Sequence, residues 1–107
     1  MTFQEAFNEI RGYFMQADVS GINDNIAVQI NLTGEGEGIF YAELKNGHLS
    51  VEPYDYHDRD LLFVVDTHDF IRIVKGELSA EKAYFTRKLK IEGDLGKAMV
   101  INNLLKK

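Results

Sequence analysis

The sequence contains no cysteine and no tryptophan. Without a thiol it can form no disulfide framework, no thiolate nucleophile and no cysteine-based zinc or iron–sulfur site, which fits a reducing compartment. Long apolar runs are missing too: no stretch approaches the ~18 residues that a membrane span needs. The first residues, Met1 to Ala6, lack the basic and apolar regions of a signal peptide. A cytoplasmic location is therefore expected. Nor is there an excess of positive charge. Twelve Lys and Arg stand against seventeen Asp and Glu, a net charge of −5, which argues against a nucleic-acid partner, because that binding is driven largely by neutralising phosphates. The imbalance is uneven: residues 87–107 carry +4 and residues 1–86 carry −9.

What is present suits one soluble domain over residues 1–107. A chain of 107 residues, 45% of them hydrophobic, has room for one core and little else. Phe3, Phe7, Ile10 and Phe14 recur at helical spacing, joined by Ala6, Tyr13 and Ala17, and predict a first helix with an aromatic stripe. A turn cluster over 18–25 should end it. Ile26, Val28, Ile30 and Leu32 then alternate with Ala27, Gln29, Asn31 and Thr33, the period of a strand with one buried face. Phe40, Ala42 and Leu44 mark a second strand, and Leu49 and Val51 a third. The connections are Gly34 to Gly38 and Lys45 to His48, the latter holding Asn46-Gly47, a strong hairpin signal. Beyond Pro53 lies an acidic, aromatic loop, and the unbroken run Leu61 to Val65 suits a strand covered on both faces. Asp66 and Ser79 are placed to cap two short helices, one with Phe70, Ile73 and Val74 on a side and stopped by Gly76, the other with Ala80, Ala83 and Tyr84 on a face. Leu89 and Ile91 alternate with Lys88, Lys90 and Glu92 in a last strand, and Gly93-Asp94 opens a closing helix. The fold class is α+β.

Sites for catalysis are weak. The glycine-rich loop resembles a phosphate cradle only in composition, since Glu35 and Glu37 interleave its glycines and a strand follows. His57, Asp58 and Asp60 would meet His68 and Asp69 in a metal site only if two loops came together, and their spacing matches no known ligand pattern. Solvated loops and helix caps are the better reading. Ser20, Ser50 and Ser79 lie outside any nucleophile motif, and no carboxylate pair stands in an apolar setting that would raise a pKa. No catalytic residue, metal or cofactor is assigned. The last helix is different: Leu95, Ala98, Met99, Val100, Ile101, Leu104 and Leu105 spread around most of its circumference, more than docking on one core requires. The surplus must meet more core, a second protomer in a homodimer, or an apolar ligand.

The last third carries a resemblance. Asp69-Phe-Ile-Arg-Ile-Val-Lys-Gly76, Ser79-Ala-Glu-Lys-Ala-Tyr-Phe85, Lys88-Leu-Lys-Ile-Glu-Gly-Asp94 and an apolar closing helix follow in that order. This resembles the sterol carrier protein 2 family, most specifically over about 69–105, and the lack of tryptophan and short meander are similar to a small bacterial-type member. Arg87 departs from the family pattern, which usually has glycine before Lys-Leu. The resemblance implies an antiparallel-rich five-stranded sheet covered by about four helices, with an apolar tunnel between them. It also implies a non-enzymatic carrier of fatty acid, acyl ester, phospholipid or sterol-like lipid. The implied tunnel wall comprises Phe70, Ile73, Val74, Ala83, Tyr84, Phe85, Leu89, Ile91, Leu95, Met99 and Leu104. Lys88, Lys97, Lys106 and Lys107 near the mouth would attract an anionic membrane; a solvated basic face is the plainer reading. An accessory or dimerisation module assisting an enzyme that acts on hydrophobic substrates is the alternative.

Overall fold

In the computed structural model, which describes residues 1–105, the first aromatic stripe becomes helix α1, Phe3–Met15. Thr2 and Glu5 form a capping box, Thr2 Oγ1 accepting from the Glu5 N–H at 3.2 Å and Glu5 Oε1 accepting from the Thr2 N–H at 2.9 Å. This satisfies amides that the first turn leaves without partners. Ala6, Phe7, Ile10 and Phe14 are buried. Strands β1 (Ile26–Thr33), β2 (Gly38–Lys45) and β3 (His48–Glu52) follow as an antiparallel meander. Asn46 and Gly47 both adopt left-handed φ, 52° and 77°, the twist-matched turn that brings β2 directly into β3. The glycine-rich segment is a hairpin connection too. A Cβ on Gly38 would lie 2.2 Å from the Phe3 ring, so glycine there lets α1 sit down on the sheet.

Strand β4 (Leu61–Asp66) runs parallel to β1 and antiparallel to β5 (Leu89–Gly93), giving the order β3-β2-β1-β4-β5. The sheet is therefore mixed and mostly antiparallel. Helices α2 (Thr67–Val74), α3 (Ala80–Phe85) and α4 (Leu95–Leu105) join α1 on its inner face. Asp66 caps α2 by accepting from the His68 and Asp69 amides, and Ser79 caps α3 by accepting from Lys82. The core centres on an aromatic cluster. Phe40 meets Phe7, Phe14 and Phe70 with ring centroids 5.5, 6.4 and 6.2 Å apart, the tilted geometries that aromatic quadrupoles favour.

Two expectations are corrected on the outer face. Ala27 and Gln29, assigned to the polar face of β1, are buried, because residues 53–60 must cross β2 and β1 to connect β3 with β4. Gln29 Oε1 accepts from the Tyr56 N–H at 3.0 Å, the Tyr56 hydroxyl bonds to Glu43, and its ring packs edge-on against Tyr41. The Glu43 bond, with a smaller contribution from burial, pushes the Tyr56 phenol up to about 12. In β4 only Leu61, Phe63 and Val65 are buried, while Leu62 and Val64 are half-buried. The crossing loop covers β1 and leaves the outer side of β4 partly open.

Candidate apolar binding site

The site grows from the segment that follows the aromatic core. Helix α3 is short, and its end is fixed by a pair of backbone bonds, Lys88 N–H to Ala83 O at 2.8 Å and Arg87 N–H to Tyr84 O at 3.1 Å. This capping motif needs a left-handed residue after the cap. Arg87 fills that place with φ 65°, whereas the same motif at the end of α2 uses Gly76 at φ 81°. The turn feeds β5, and Gly93 ends it at φ 111° with the Asp60 carbonyl so near that a Cβ would lie 2.2 Å from its oxygen. Asp94 then opens α4, its Oδ1 accepting from the Lys97 N–H at 3.2 Å.

Asp60 ties this junction together. Its Oδ2 accepts from the Ala27 N–H at 2.8 Å, its Oδ1 lies 3.1 Å from Lys97 Nζ, and its carbonyl accepts from the Asp94 amide at 3.2 Å. The Ala27 amide, followed by Lys97, holds its carboxyl below the usual aspartate range. One side chain thus anchors the crossing loop to β1 and the base of α4.

Between α3, α4 and the β4–β5 end of the sheet lies a cavity of about 240 Å³. Phe70 and Ile73 of α2, Tyr84 and Phe85 of α3, Leu89 and Ile91 of β5, and Leu95 and Met99 of α4 line it, so eight of the eleven expected wall residues come together. The other three do not reach it. Val74 and Ala83 are fully packed core, and Leu104 points to the opposite side of α4, near Ile22. Phe63, Ala80, Ala98, Ile101 and Leu105 complete the apolar wall, with Glu81 and Asn102 as its polar members. Those two bond to each other, Asn102 Nδ2 donating to Glu81 Oε1 at 3.1 Å across the gap between α3 and α4. The signal for this split lies in the 3.6-residue period of α4: Leu95, Ala98, Met99, Asn102 and Leu105 form one stripe, and Leu104 lies half a turn from its start.

The mouth is marked by exposure. Phe85 is 80% exposed, Met99 59%, Leu95 50% and Tyr84 38%, although all four line the cavity. Tyr84, expected in the tunnel wall, stands partly exposed at its rim. The surplus apolar face of α4 thus divides in two: Ala98, Ile101, Leu104 and Leu105 are buried, while Leu95 and Met99 stand at the opening.

This fold, a five-stranded sheet with a helix-covered inner face, is matched in known proteins. Residues 7–106 match the SCP-2 sterol transfer family. The chain belongs to that family. It is 30% identical over 102 residues to hydroxysteroid dehydrogenase-like protein 2 of Danio rerio, an alignment covering 94% of this chain and 24% of that protein. It is 34% identical over 71 residues to sterol carrier protein 2 of Homo sapiens, covering 66% and 13%. The chain therefore spans about a quarter or less of the curated relatives it matches. Among solved structures, a palmitated sterol carrier protein 2-like 2 from Aedes aegypti superposes with a TM-score of 0.73 at 18% identity, covering 100% of this chain and 96% of that one. Membership of the family gives the fold.

Loop chemistry resolves differently from a metal site. His68 Nε2 lies 2.9 Å from Glu35 Oε1 in the glycine-rich loop, and Asp60 is committed to Ala27 and Lys97. Among the described residues no group of three or more His, Asp or Glu could hold an ion, and no helix is long and apolar enough to cross a membrane. Lys97 of the expected basic mouth is engaged with Asp60; Lys106 and Lys107 lie outside the described residues.

Proposed function

We propose that the cavity holds the hydrocarbon part of a lipid and that the chain acts as a carrier without catalysing a reaction. The observation that carries this reading is an almost wholly apolar cavity whose mouth is ringed by exposed Phe85, Met99 and Leu95. A soluble protein rarely leaves such side chains together in water without a use for them. At ~30 Å³ per water-sized group, 240 Å³ accepts about eight methylenes. Their transfer from water is worth about 6 kcal/mol before the cost of immobilising the chain. A fatty acid, acyl ester, phospholipid or sterol-like molecule supplies such a segment. Longer chains continue past the mouth or displace α4 to extend the cavity into a tunnel. The palmitated relative supports the fatty-acid case, and the flexible Met99 and aromatic rim suit varied chains.

Displacement of a fluorescent fatty-acid analogue by palmitate tests the proposal. Saturable one-to-one binding, reversed by palmitate, is expected; a signal that never saturates, or that palmitate leaves unchanged, contradicts it. A second reading is favoured by the span of the alignments: as part of a longer protein, as in the dehydrogenase-like relative, the unit would assist an enzyme acting on hydrophobic substrates or join two copies through the exposed rim. Concentration-dependent sedimentation to a dimer, abolished by Phe85→Asp and accompanied by no lipid binding, would establish that reading instead.

A further inference from the structure

The two edges of the sheet are finished differently. At β3 the outer edge is met by α1, Arg11 Nε donating to the Val51 carbonyl at 3.0 Å. At β5 no side chain does the same among the described residues. The Asp94 N–H donates to the Asp60 carbonyl at 3.2 Å, and Leu61 stands opposite Gly93, so Lys90 and Glu92 carry the ladder bonds from β5 to β4. The N–H and C=O of Ile91, at the middle of β5, therefore point away from the sheet. Outward backbone groups on an edge strand are a template for another strand.

The charges along this edge are self-complementary. Lys88, Lys90, Glu92 and Asp94 alternate with Leu89, Ile91 and Gly93. Leu89 and Ile91 turn inward to line the cavity, which puts Lys90 and Glu92 on the outer face. Both are exposed, and among the described residues neither stands within ion-pair distance of an opposite charge. Their neighbours across β4 are Val64 and Leu62, so their own sheet offers them no counter-charge. Antiparallel pairing of two copies about a two-fold axis through Ile91 changes this: Lys90 of each copy lies opposite Glu92 of the other, and Lys88 opposite Asp94. Other registers bring like charges together. An axis on Lys90 or Glu92 sets that residue against its own copy, and an axis on Leu89 or Gly93 sets Lys88 against Lys90 or Glu92 against Asp94.

We propose that two copies of the chain pair through β5, antiparallel about Ile91, each extending the five-stranded sheet of the other. The two Ile91 residues exchange both backbone hydrogen bonds. Lys90 and Glu92 then occupy the non-hydrogen-bonded positions, where facing side chains come closest and opposite charges fix the register. The contact is isologous, one surface supplying both halves. It does not depend on a lipid occupying the cavity. An interface built on one short strand edge is small, and a dissociation constant of about 10–100 μM is expected.

Sedimentation velocity from about 1 μM to about 1 mM tests the proposal, with passage from monomer to dimer expected within that range. Lys90→Glu and Glu92→Lys each set like charges opposite one another at both symmetry-related positions, and each should weaken the dimer by about tenfold or more. Mixed in equal amounts, the two variants restore both opposite-charge pairs, so a heterodimer about as tight as the parent dimer is expected. Both side chains are exposed, and thermal unfolding of each variant at low concentration should match that of the parent chain. A chain still monomeric at about 1 mM, a dimer that either charge reversal leaves intact, or variants that stay apart when mixed would each overturn it.

Discussion

Replacing Ala98 by leucine probes the cavity from inside. Ala98 is buried on α4 and lines the cavity, so the three added carbons occupy about 90 Å³ at ~30 Å³ per group. That is over a third of the 240 Å³ available, and capacity falls from about eight methylenes to about five. At ~0.8 kcal/mol each, the loss is about 2.4 kcal/mol, or roughly 50-fold in affinity for a saturated chain. Stability should move the other way. In a close-packed core the larger side chain would cost about 1–3 kcal/mol, but in a void it restores contacts worth about 24 cal/mol per Å³. Because the mouth is open, the expected change lies between zero and about 2 kcal/mol of stabilisation. Urea unfolding of the ligand-free protein and displacement of the fatty-acid analogue are measured on the same samples. A variant destabilised by more than about 1 kcal/mol with undiminished affinity would refute the reasoning, since it would mean that Ala98 faces packed core and the ligand binds elsewhere.

Other outcomes follow from the junction below α4 and from the outer face. Gly93→Ala should cost at least about 3 kcal/mol in urea unfolding, because its Cβ meets the Asp60 carbonyl oxygen at 2.2 Å at a φ of 111°; a cost below about 1 kcal/mol would contradict that approach. Asp60→Asn should lose about 1.5–3 kcal/mol at neutral pH through its Ala27 and Lys97 bonds. With the folded pKa depressed, that stability is present above the unfolded carboxyl pKa of about 3.9 and is lost as pH falls through the folded value. The two proteins should therefore converge in acid. Tyr56, with its phenol pushed up to about 12, keeps its proton after the unfolded chain has lost it near pH ~10. Its contribution is complete below that pH and disappears as pH rises toward 12, so Tyr56→Phe should flatten the alkaline fall in stability. An equally steep fall in the variant would count against the Glu43 bond.

Most elements were legible because local chemistry and periodicity agreed. The Phe3 to Phe14 stripe, the Asn46-Gly47 turn, and the caps at Asp66 and Ser79 each specify structure within a few residues. The outer face was not legible, because burial of Ala27 and Gln29 depends on a crossing segment that begins about twenty-five residues later. Around the cavity, the resemblance points to elements that line it but not to every lining side chain. Val74 and Leu104 are apolar residues on the right helices, and only the rotation of each helix decides whether they meet cavity or core. Phe63 was hidden in a continuous apolar run, where alternation gives no clue to the face. Arg87 illustrates the converse: the departure from the family pattern was visible in sequence, but its left-handed backbone was not.

The central claim is that an acyl chain occupies the space between α3, α4 and the β4–β5 end of the sheet. Its most direct test is an isotope-filtered nuclear Overhauser experiment on the protein with carbon-13-labelled palmitate. Contacts are expected from the chain methylenes to the methyl groups of Ile73, Leu89 and Ile91 and to the Phe70 ring, all of which line the cavity. Contacts confined to outer-face residues such as Ile39 and Val64, or no contacts at saturating palmitate, would contradict it.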